Sequence, residues 1–121
     1  MARPYRFINV ERRGEVFCVH LRHARLDEAM IHEMAGELRY LVLEEGCRHL
    51  ALSLGPKSPE CLYSVFLAKL ISLQRFLRDR GGELALCEVQ PVVREIFEVC
   101  CVDRLFPFCP TFEAAITHWT P

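Results

Sequence analysis

The chain has 121 residues, of which 51% are hydrophobic and 26% are charged. This length suits one compact domain, which we expect to span residues 1–121, and the composition argues against an intrinsically disordered protein. Fifteen Lys and Arg residues against sixteen Asp and Glu residues give a net charge of −1. Because general affinity for nucleic acid depends on an excess of positive charge, nucleic acid is disfavoured as a partner.

The N-terminal residues and the cysteines both indicate a cytoplasmic protein. Residues 1–6 lead directly into a strand-like run instead of the apolar core of a signal peptide. No apolar stretch approaches the ~18 residues of a membrane span, so membrane insertion is not expected. The seven cysteines are odd in number and scattered through apolar segments, unlike the paired cysteines of a secreted disulfide framework. We therefore expect reduced, buried thiols.

The first part of the chain predicts a hairpin followed by a helix. Alternating apolar residues predict strands over Phe7–Glu11 and Val16–Leu21, joined by a turn at residues 12–14. Asp27 is the predicted N-cap of a helix over Glu28–Glu45, whose apolar residues recur at helical spacing. The opening pair of strands is thus expected to be antiparallel.

A strand and a second helix follow. His49–Leu54 predicts a buried strand, and Gly55 with Pro56 ends it. Ser58 and Pro59 have the residue types of a helix cap and first turn. The helix predicted to start there carries one apolar stripe and stops at Gly81 and Gly82.

The last third of the chain repeats the pattern. Glu83–Glu88 predicts a strand, and Pro91 opens a third helix. A short strand over Leu105–Phe108 precedes Thr111, the predicted cap of a final helix that ends at Trp119. The order β-β-α-β-α-β-α-β-α predicts an α/β fold with a mixed, mostly parallel sheet of four to five strands and amphipathic helices packed on it.

Residue patterns of common enzymes and metal sites are incomplete in this chain. The segment Tyr63–Phe66 contains a serine but lacks the glycines of a hydrolase nucleophile turn. His32 begins a zinc-protease pattern whose second histidine position is Gly36. The adjacent Cys100 and Cys101 lack a Cys-x-x-Cys arm and are interpreted as buried thiols. We expect no catalytic residues, no metal ligands and no cofactor.

The chain resembles a known family in both element order and local sequence. The matching stretches are Arg48–Leu54, Leu77–Gly82, Leu84–Val93, Val102–Phe106 and Thr111–Ala115, with Leu26–Asp27 before the first helix. Together they resemble a STAS domain, the module of anti-sigma-factor antagonists and sulfate-transporter tails. The resemblance implies the STAS variant of the α/β fold over nearly the whole chain.

The resemblance also implies a phosphorylation switch, although its motif is degenerate here. STAS antagonists carry Asp-Ser-Ser-Gly at the start of the second helix, and the first serine is phosphorylated by the partner kinase. The matching positions are Tyr63, Ser64, Val65 and Phe66, so that only Ser64 agrees. If the helix begins at Ser58, Ser64 lies in its second turn, where the backbone N–H groups are already paired. Ser64 is therefore either a phospho-acceptor or a plain helical residue.

The function implied by this resemblance is non-enzymatic docking onto a regulatory protein, an anti-sigma factor of the serine-kinase type, by a monomer or weak dimer. The partner-binding residues implied are Asp27, Lys57, Ser58, Tyr63, Ser64, Val65 and Phe66. The alternative is a constitutive scaffold or structural STAS subunit, in a stressosome-like or lipid-transport complex, without phosphorylation. Binding of a nucleotide or small ligand is a weaker third hypothesis, because the chain lacks a phosphate-cradling loop.

Overall fold

The computed structural model describes residues 5–120, which form a five-stranded sheet with helices on both faces and a separate two-residue strand pair. The strands are β1 (Ile8–Arg13), β2 (Val16–Leu21), β3 (Arg25–Leu26), β4 (His49–Ser53), β5 (Glu60–Cys61), β6 (Glu83–Cys87) and β7 (Phe108–Cys109). The helices are α1 (Glu28–Glu44), α2 (Tyr63–Arg78), α3 (Pro91–Val99) and α4 (Phe112–Trp119), with a 3-10 turn at Asp103–Leu105.

The order of strands in the main sheet is β1-β2-β4-β6-β7. β1 and β2 form the antiparallel hairpin, and β2, β4, β6 and β7 are parallel neighbours. Parallel neighbours need crossover connections, and the helices supply them. The predicted α/β fold with a mixed, mostly parallel sheet is confirmed, and its strand number is five.

Side chains of the central strands alternate between two cores. Leu50 and Leu52 pack with the apolar residues of α1 and α2 on one face of the sheet. Ala51 lies on the opposite face, where Phe112 and Ala115 of α4 complete a smaller cluster. Both faces are covered, which explains why the strands read as nearly continuous apolar runs. Between residues 5 and 120, every helix is too short or too polar to cross a bilayer.

The C-terminal end of α2 is fixed to the sheet by buried polar contacts and close backbone packing. The Gln74 side-chain nitrogen donates to the carbonyls of Leu84 (2.9 Å) and Leu105 (2.8 Å), and its oxygen accepts from the Leu84 N–H (2.8 Å). At Gly82, a Cβ would lie 1.8 Å from the carbonyl oxygen of Arg48. Only glycine fits there, so the helix stop predicted at this position also has a packing role.

The prediction for the start of the second helix is wrong by several residues. The helix begins at Tyr63 and not at Ser58. Glu60–Cys61 instead forms β5 and pairs in parallel with Arg25–Leu26. The Glu60 N–H also donates to the Ala24 carbonyl at 2.6 Å. A helix that began at Ser58 would lose this extended pairing.

The last third of the chain follows its prediction with one change. The strand expected over Leu105–Phe108 starts later than predicted. Asp103–Leu105 forms a 3-10 turn, and the strand spans Phe108–Cys109. Thr111 caps α4 as predicted, and its hydroxyl accepts from the Ala114 N–H at 3.1 Å.

Candidate functional site

Two helix starts lie side by side at one edge of the molecule. The parallel pair β3–β5 sets Arg25 opposite Glu60 and Leu26 opposite Cys61. The next residue on the β3 side is the N-cap of α1, and the next residue on the β5 side is the N-cap of α2. The two helices therefore leave this edge from matched positions of neighbouring strands.

The start of α1 is capped and acidic. The carboxylate of Asp27 accepts a hydrogen bond from the backbone N–H of Met30 at 2.8 Å. Glu28 adds a second acidic side chain in the first turn. Both negative groups complement the unpaired N–H groups and the positive end of the helix dipole. The prediction of Asp27 as N-cap is confirmed.

The start of α2 has neither feature. Its N-cap residue is Leu62, whose side chain accepts no hydrogen bond and is 58% exposed. The first turn contains no acidic residue. Ser64 is the second residue of the helix and is exposed. The condition that would have placed Ser64 in the second turn, a helix that begins at Ser58, is not met, and Ser64 lies in the first turn.

The three residues at the motif positions around Ser64, namely Tyr63, Val65 and Phe66, differ in exposure. Phe66 is fully buried in the main core. The prediction of Phe66 as a partner contact is therefore wrong, since its side chain has no exposed surface. Tyr63 contacts Phe66 edge-to-face at 5.8 Å, donates its hydroxyl to the Pro59 carbonyl at 2.6 Å, and remains half-buried. Burial raises the pKa of Tyr63 to about 12. Val65 is also half-buried.

The loop before α2 is held by the residue that precedes α3. The side-chain amide of Gln90 donates to the Pro56 carbonyl, and the Ser58 hydroxyl donates to the Gln90 side-chain oxygen at 3.1 Å. Ser58 is thus a loop residue and not the cap that its sequence context predicted. Lys57, between Pro56 and Ser58, is exposed. The loop places Lys57 and Ser58 next to the start of α2.

A polar cluster that was not predicted from the sequence supports the same loop. It consists of His20, Ser53 and Glu88. The Ser53 hydroxyl contacts the Glu88 carboxylate at 2.6 Å and accepts from the Gly55 N–H at 3.2 Å. The imidazole of His20 lies 3.7 Å from the same carboxylate. A Cβ at Gly55 would lie 2.6 Å from the Glu88 carbonyl, so only glycine fits. One sequence signal was available, because Ser53 ends β4 and Glu88 directly follows β6, its parallel neighbour.

Glu88 itself adopts a left-handed backbone conformation, with φ of +56°. Such a conformation is unusual for a residue other than glycine and is maintained by surrounding contacts. Here the hydrogen bond to Ser53 is one of them. The cluster is thus a structural support for the loop.

The cysteines differ in exposure. Cys100 and Cys101 are exposed after α3, so the expectation of buried thiols is wrong for this pair. Cys47 and Cys87 are buried, and burial raises the pKa of each thiol to about 12. Across residues 5–120, His, Cys, Asp and Glu side chains form no group of three that could hold a metal ion.

Comparison with known proteins identifies the fold family. The family model for the STAS domain matches residues 7–115. The chain belongs to the STAS domain family. BtrV of Bordetella bronchiseptica, whose name describes it as an anti-sigma factor antagonist, is 33% identical to this STAS chain over 90 residues, which cover 74% of this chain and 75% of BtrV.

Solved structures agree with this assignment at the level of the fold. An anti-sigma-factor antagonist (STAS) domain protein from Planctomyces limnophilus has a TM-score of 0.75 and 21% identity, over 93% of this chain and 98% of that chain. Phosphorylated SpoIIAA, a Bacillus cell fate determinant, has a TM-score of 0.63 and 14% identity, over 93% of this chain and 99% of that chain. The STAS fold predicted from the resemblance is confirmed.

Proposed function

We propose that this STAS protein is an anti-sigma factor antagonist that acts by docking onto an anti-sigma factor of the serine-kinase type. The proposal is supported by its similarity to BtrV over three quarters of both chains. SpoIIAA, an anti-sigma factor antagonist of the same fold, is known in phosphorylated and unphosphorylated forms. The function requires binding, capture and release of a partner, and no catalytic group in this chain.

The proposed contact surface is the edge at which α1 and α2 begin. It consists of Asp27, Lys57, Ser58, Tyr63, Ser64 and Val65, which we call the docking edge. Asp27, Lys57 and Ser64 are exposed, and the other three are half-buried. An exposed rim around partly buried apolar side chains is the arrangement found in many protein–protein interfaces.

Within the docking edge, Ser64 is the proposed phospho-acceptor. The observation that carries this assignment is its position as the exposed second residue of a helix without a side-chain cap. A phosphate near the start of a helix is stabilised by unpaired N–H groups and by the helix dipole. It also adds about −1.5 to −2 charges at neutral pH, which would repel an acidic partner surface or demand desolvation of the phosphate.

Affinity capture from the native cell tests both parts of the proposal. The baits are the tagged wild type, Ser64→Asp and Ser64→Ala, and captured proteins and phosphosites are identified by mass spectrometry. We expect the wild type and Ser64→Ala to capture a protein with a serine-kinase domain. Ser64→Asp should weaken this complex at least tenfold, equivalent to about 1.4 kcal/mol, in titration calorimetry with the purified partner.

A matched control distinguishes local from general effects of charge. Ala29 is exposed and is the second residue of α1, as Ser64 is of α2. Ala29→Asp therefore adds the same charge at the same helical position of the neighbouring helix, and we expect a smaller loss of affinity. Equal capture by all baits with unmodified Ser64 would refute the switch and favour a constitutive docking or scaffold module. Absence of any kinase-containing partner would refute the anti-sigma assignment itself.

A further inference from the structure

A groove between α1 and α2 lies away from the docking edge and has an apolar floor. Its volume is about 330 Å³, at the lower end of the range of pockets that hold small organic ligands. The floor is formed by buried apolar residues, namely Met34, Leu38, Leu70 and Leu73. Small residues, among them Gly36 and Ser72, line the same groove and leave its space open.

Two cationic side chains line this groove, and one of them is held in place. Arg39 donates a hydrogen bond to the Ser72 hydroxyl at 2.8 Å, and its guanidinium lies 4.4 Å from the centre of the Phe76 ring. Lys69 lines the groove from α2. In the described part of the chain, no carboxylate lies within ion-pair distance of Arg39 or Lys69.

Other charges around the groove are few. His32 also lines it, and its imidazole lies 4.0 Å from the carboxylate of Glu28 on the same helix. A neighbouring depression shares Arg39 and continues toward Arg75 and Asp79. Arg39 and Lys69 are therefore the charged residues next to the apolar floor, and the residues that line the groove include neither Asp nor Glu.

We propose that this groove binds a small amphipathic anion, with an apolar body on the floor and a single carboxylate or phosphate group between Arg39 and Lys69. The apolar body would remove hydrophobic surface from water, and the anion would pair with two cations that form no ion pair with a carboxylate in the described part of the chain. Because the contacts with Ser72 and Phe76 already restrict Arg39, less conformational entropy is lost on binding. This site and its ligand are independent of the proposed partner and of Ser64.

Titration calorimetry with three ten-carbon probes tests the proposal. The probes are decanoate and decyl phosphate, each below its micelle concentration, and the uncharged decanol below its solubility limit. We expect at least one anion to bind the wild type tenfold or more tightly than decanol, since a charge-assisted hydrogen bond is worth that much. The better of the two anions then identifies the headgroup.

Three variants locate the binding site. Lys69→Gln and Arg39→Gln should each weaken binding of the better anion about tenfold or more. Gly36→Leu should abolish it, because a Cβ at Gly36 meets no atom within 4 Å and a leucine side chain would occupy the open groove. Leucine is also a better helix former than glycine, so this variant should keep its fold.

A control and a folding check make the outcome decisive. Arg104→Gln removes an exposed cation outside the groove and should bind the anion as the wild type does. Circular dichroism and the melting temperature of each variant identify loss of fold. Arg39→Gln removes the contacts of Arg39 with Ser72 and Phe76, whereas Gly36→Leu and Lys69→Gln test the site without removing them. The proposal is overturned if neither anion binds, if decanol binds equally well, or if folded Gly36→Leu still binds.

Discussion

Helices α1 and α2 start directly after the paired strands β3 and β5, yet the residues at the two helix starts differ in chemistry. Before α1, Leu26 is buried and Asp27 caps the helix with its carboxylate. Before α2, Cys61 is half-buried and Leu62 offers no side-chain acceptor. Since β3 and β5 pair in register, backbone position is matched and the side chains account for the difference.

The two helix starts differ in whether negative charge is already present. At α1, the demand for negative charge is met by the chain's own Asp27 and Glu28. At α2, the first turn has no acidic residue, and Ser64 is exposed. A negative group added at Ser64 therefore complements the helix dipole without displacing an existing cap. The same addition at α1 would meet two like charges.

The largest expected difference concerns the residues of the strand pair itself. Leu26→Ala should lower the free energy of unfolding by about 3 kcal/mol, because it removes a leucine that is only 4% exposed from the core. Cys61→Ala should cost about 1 kcal/mol or less, since the thiol is small and half-buried. Urea unfolding followed by circular dichroism measures both values. Equal losses would mean that the pair is packed equally on its two sides.

Alkaline pH should increase the difference between the two strands, because β5 carries the thiol of Cys61 where β3 carries Leu26. Burial raises the pKa of Cys61 to about 11 from the usual 9.0. The unfolded chain therefore loses this proton first, and stability is full below pH 9 and falls as pH rises from 9 through 11. At pH 10, Cys61 should account for about 1 kcal/mol of the decrease.

Urea unfolding at pH 8 and pH 10 checks this expectation. Cys61→Ala should lose less stability than the wild type between these two pH values. The remaining decrease is assigned to the other groups whose pKa values burial raises, namely Cys18, Cys47, Tyr63, Cys87 and Cys109. A decrease that is identical in the wild type and Cys61→Ala would show that this thiol ionises as freely in the folded protein as in the unfolded chain.

Substitution of the two N-cap residues should give the next smaller change in the free energy of unfolding. Asp27→Ala should destabilise the protein by about 1 kcal/mol, because the Met30 N–H loses its acceptor. Leu62→Ala, at the matched position of α2, should change stability by less than about 0.5 kcal/mol, because no cap is lost and the side chain is mostly exposed. Asp27→Asn serves as control, since asparagine caps about as well. A loss in Leu62→Ala as large as in Asp27→Ala would contradict the comparison.

Most of the fold was predictable because its signals are local and periodic. The alternation in β1 and β2, the apolar stripe of α2 and the cap at Asp27 each follow from a few neighbouring residues. The start of α2 was not predictable in this way, since Ser58 and Pro59 have the residue types of a helix start but lie before it. Pairing of β5 with β3 overrides that local preference, and a contact between residues 35 positions apart leaves no periodic signal.

The candidate site was predictable only in outline. Resemblance to the STAS family led to Ser64 and Asp27, which lie at neighbouring helix starts. Exposure of individual side chains depends on the position of α2 on the sheet, and for that reason the buried Phe66 was misassigned. The support of the loop by Ser53 and Glu88 depends on the register of β4 against β6, which no local sequence pattern reveals.

The smallest effect is the most direct test of the comparison. Ser64→Asp should raise the free energy of unfolding by about 0.3–1 kcal/mol at low ionic strength, because it adds a negative charge to an uncapped helix start. Ala29→Asp should give no gain, since Asp27 and Glu28 already carry that charge. Urea unfolding in 20 mM and 500 mM NaCl measures both, and the gain should shrink in high salt. Destabilisation by Ser64→Asp would contradict the assignment, whereas a more stable variant with weaker partner binding would show that the added charge weakens the interface without loss of the fold.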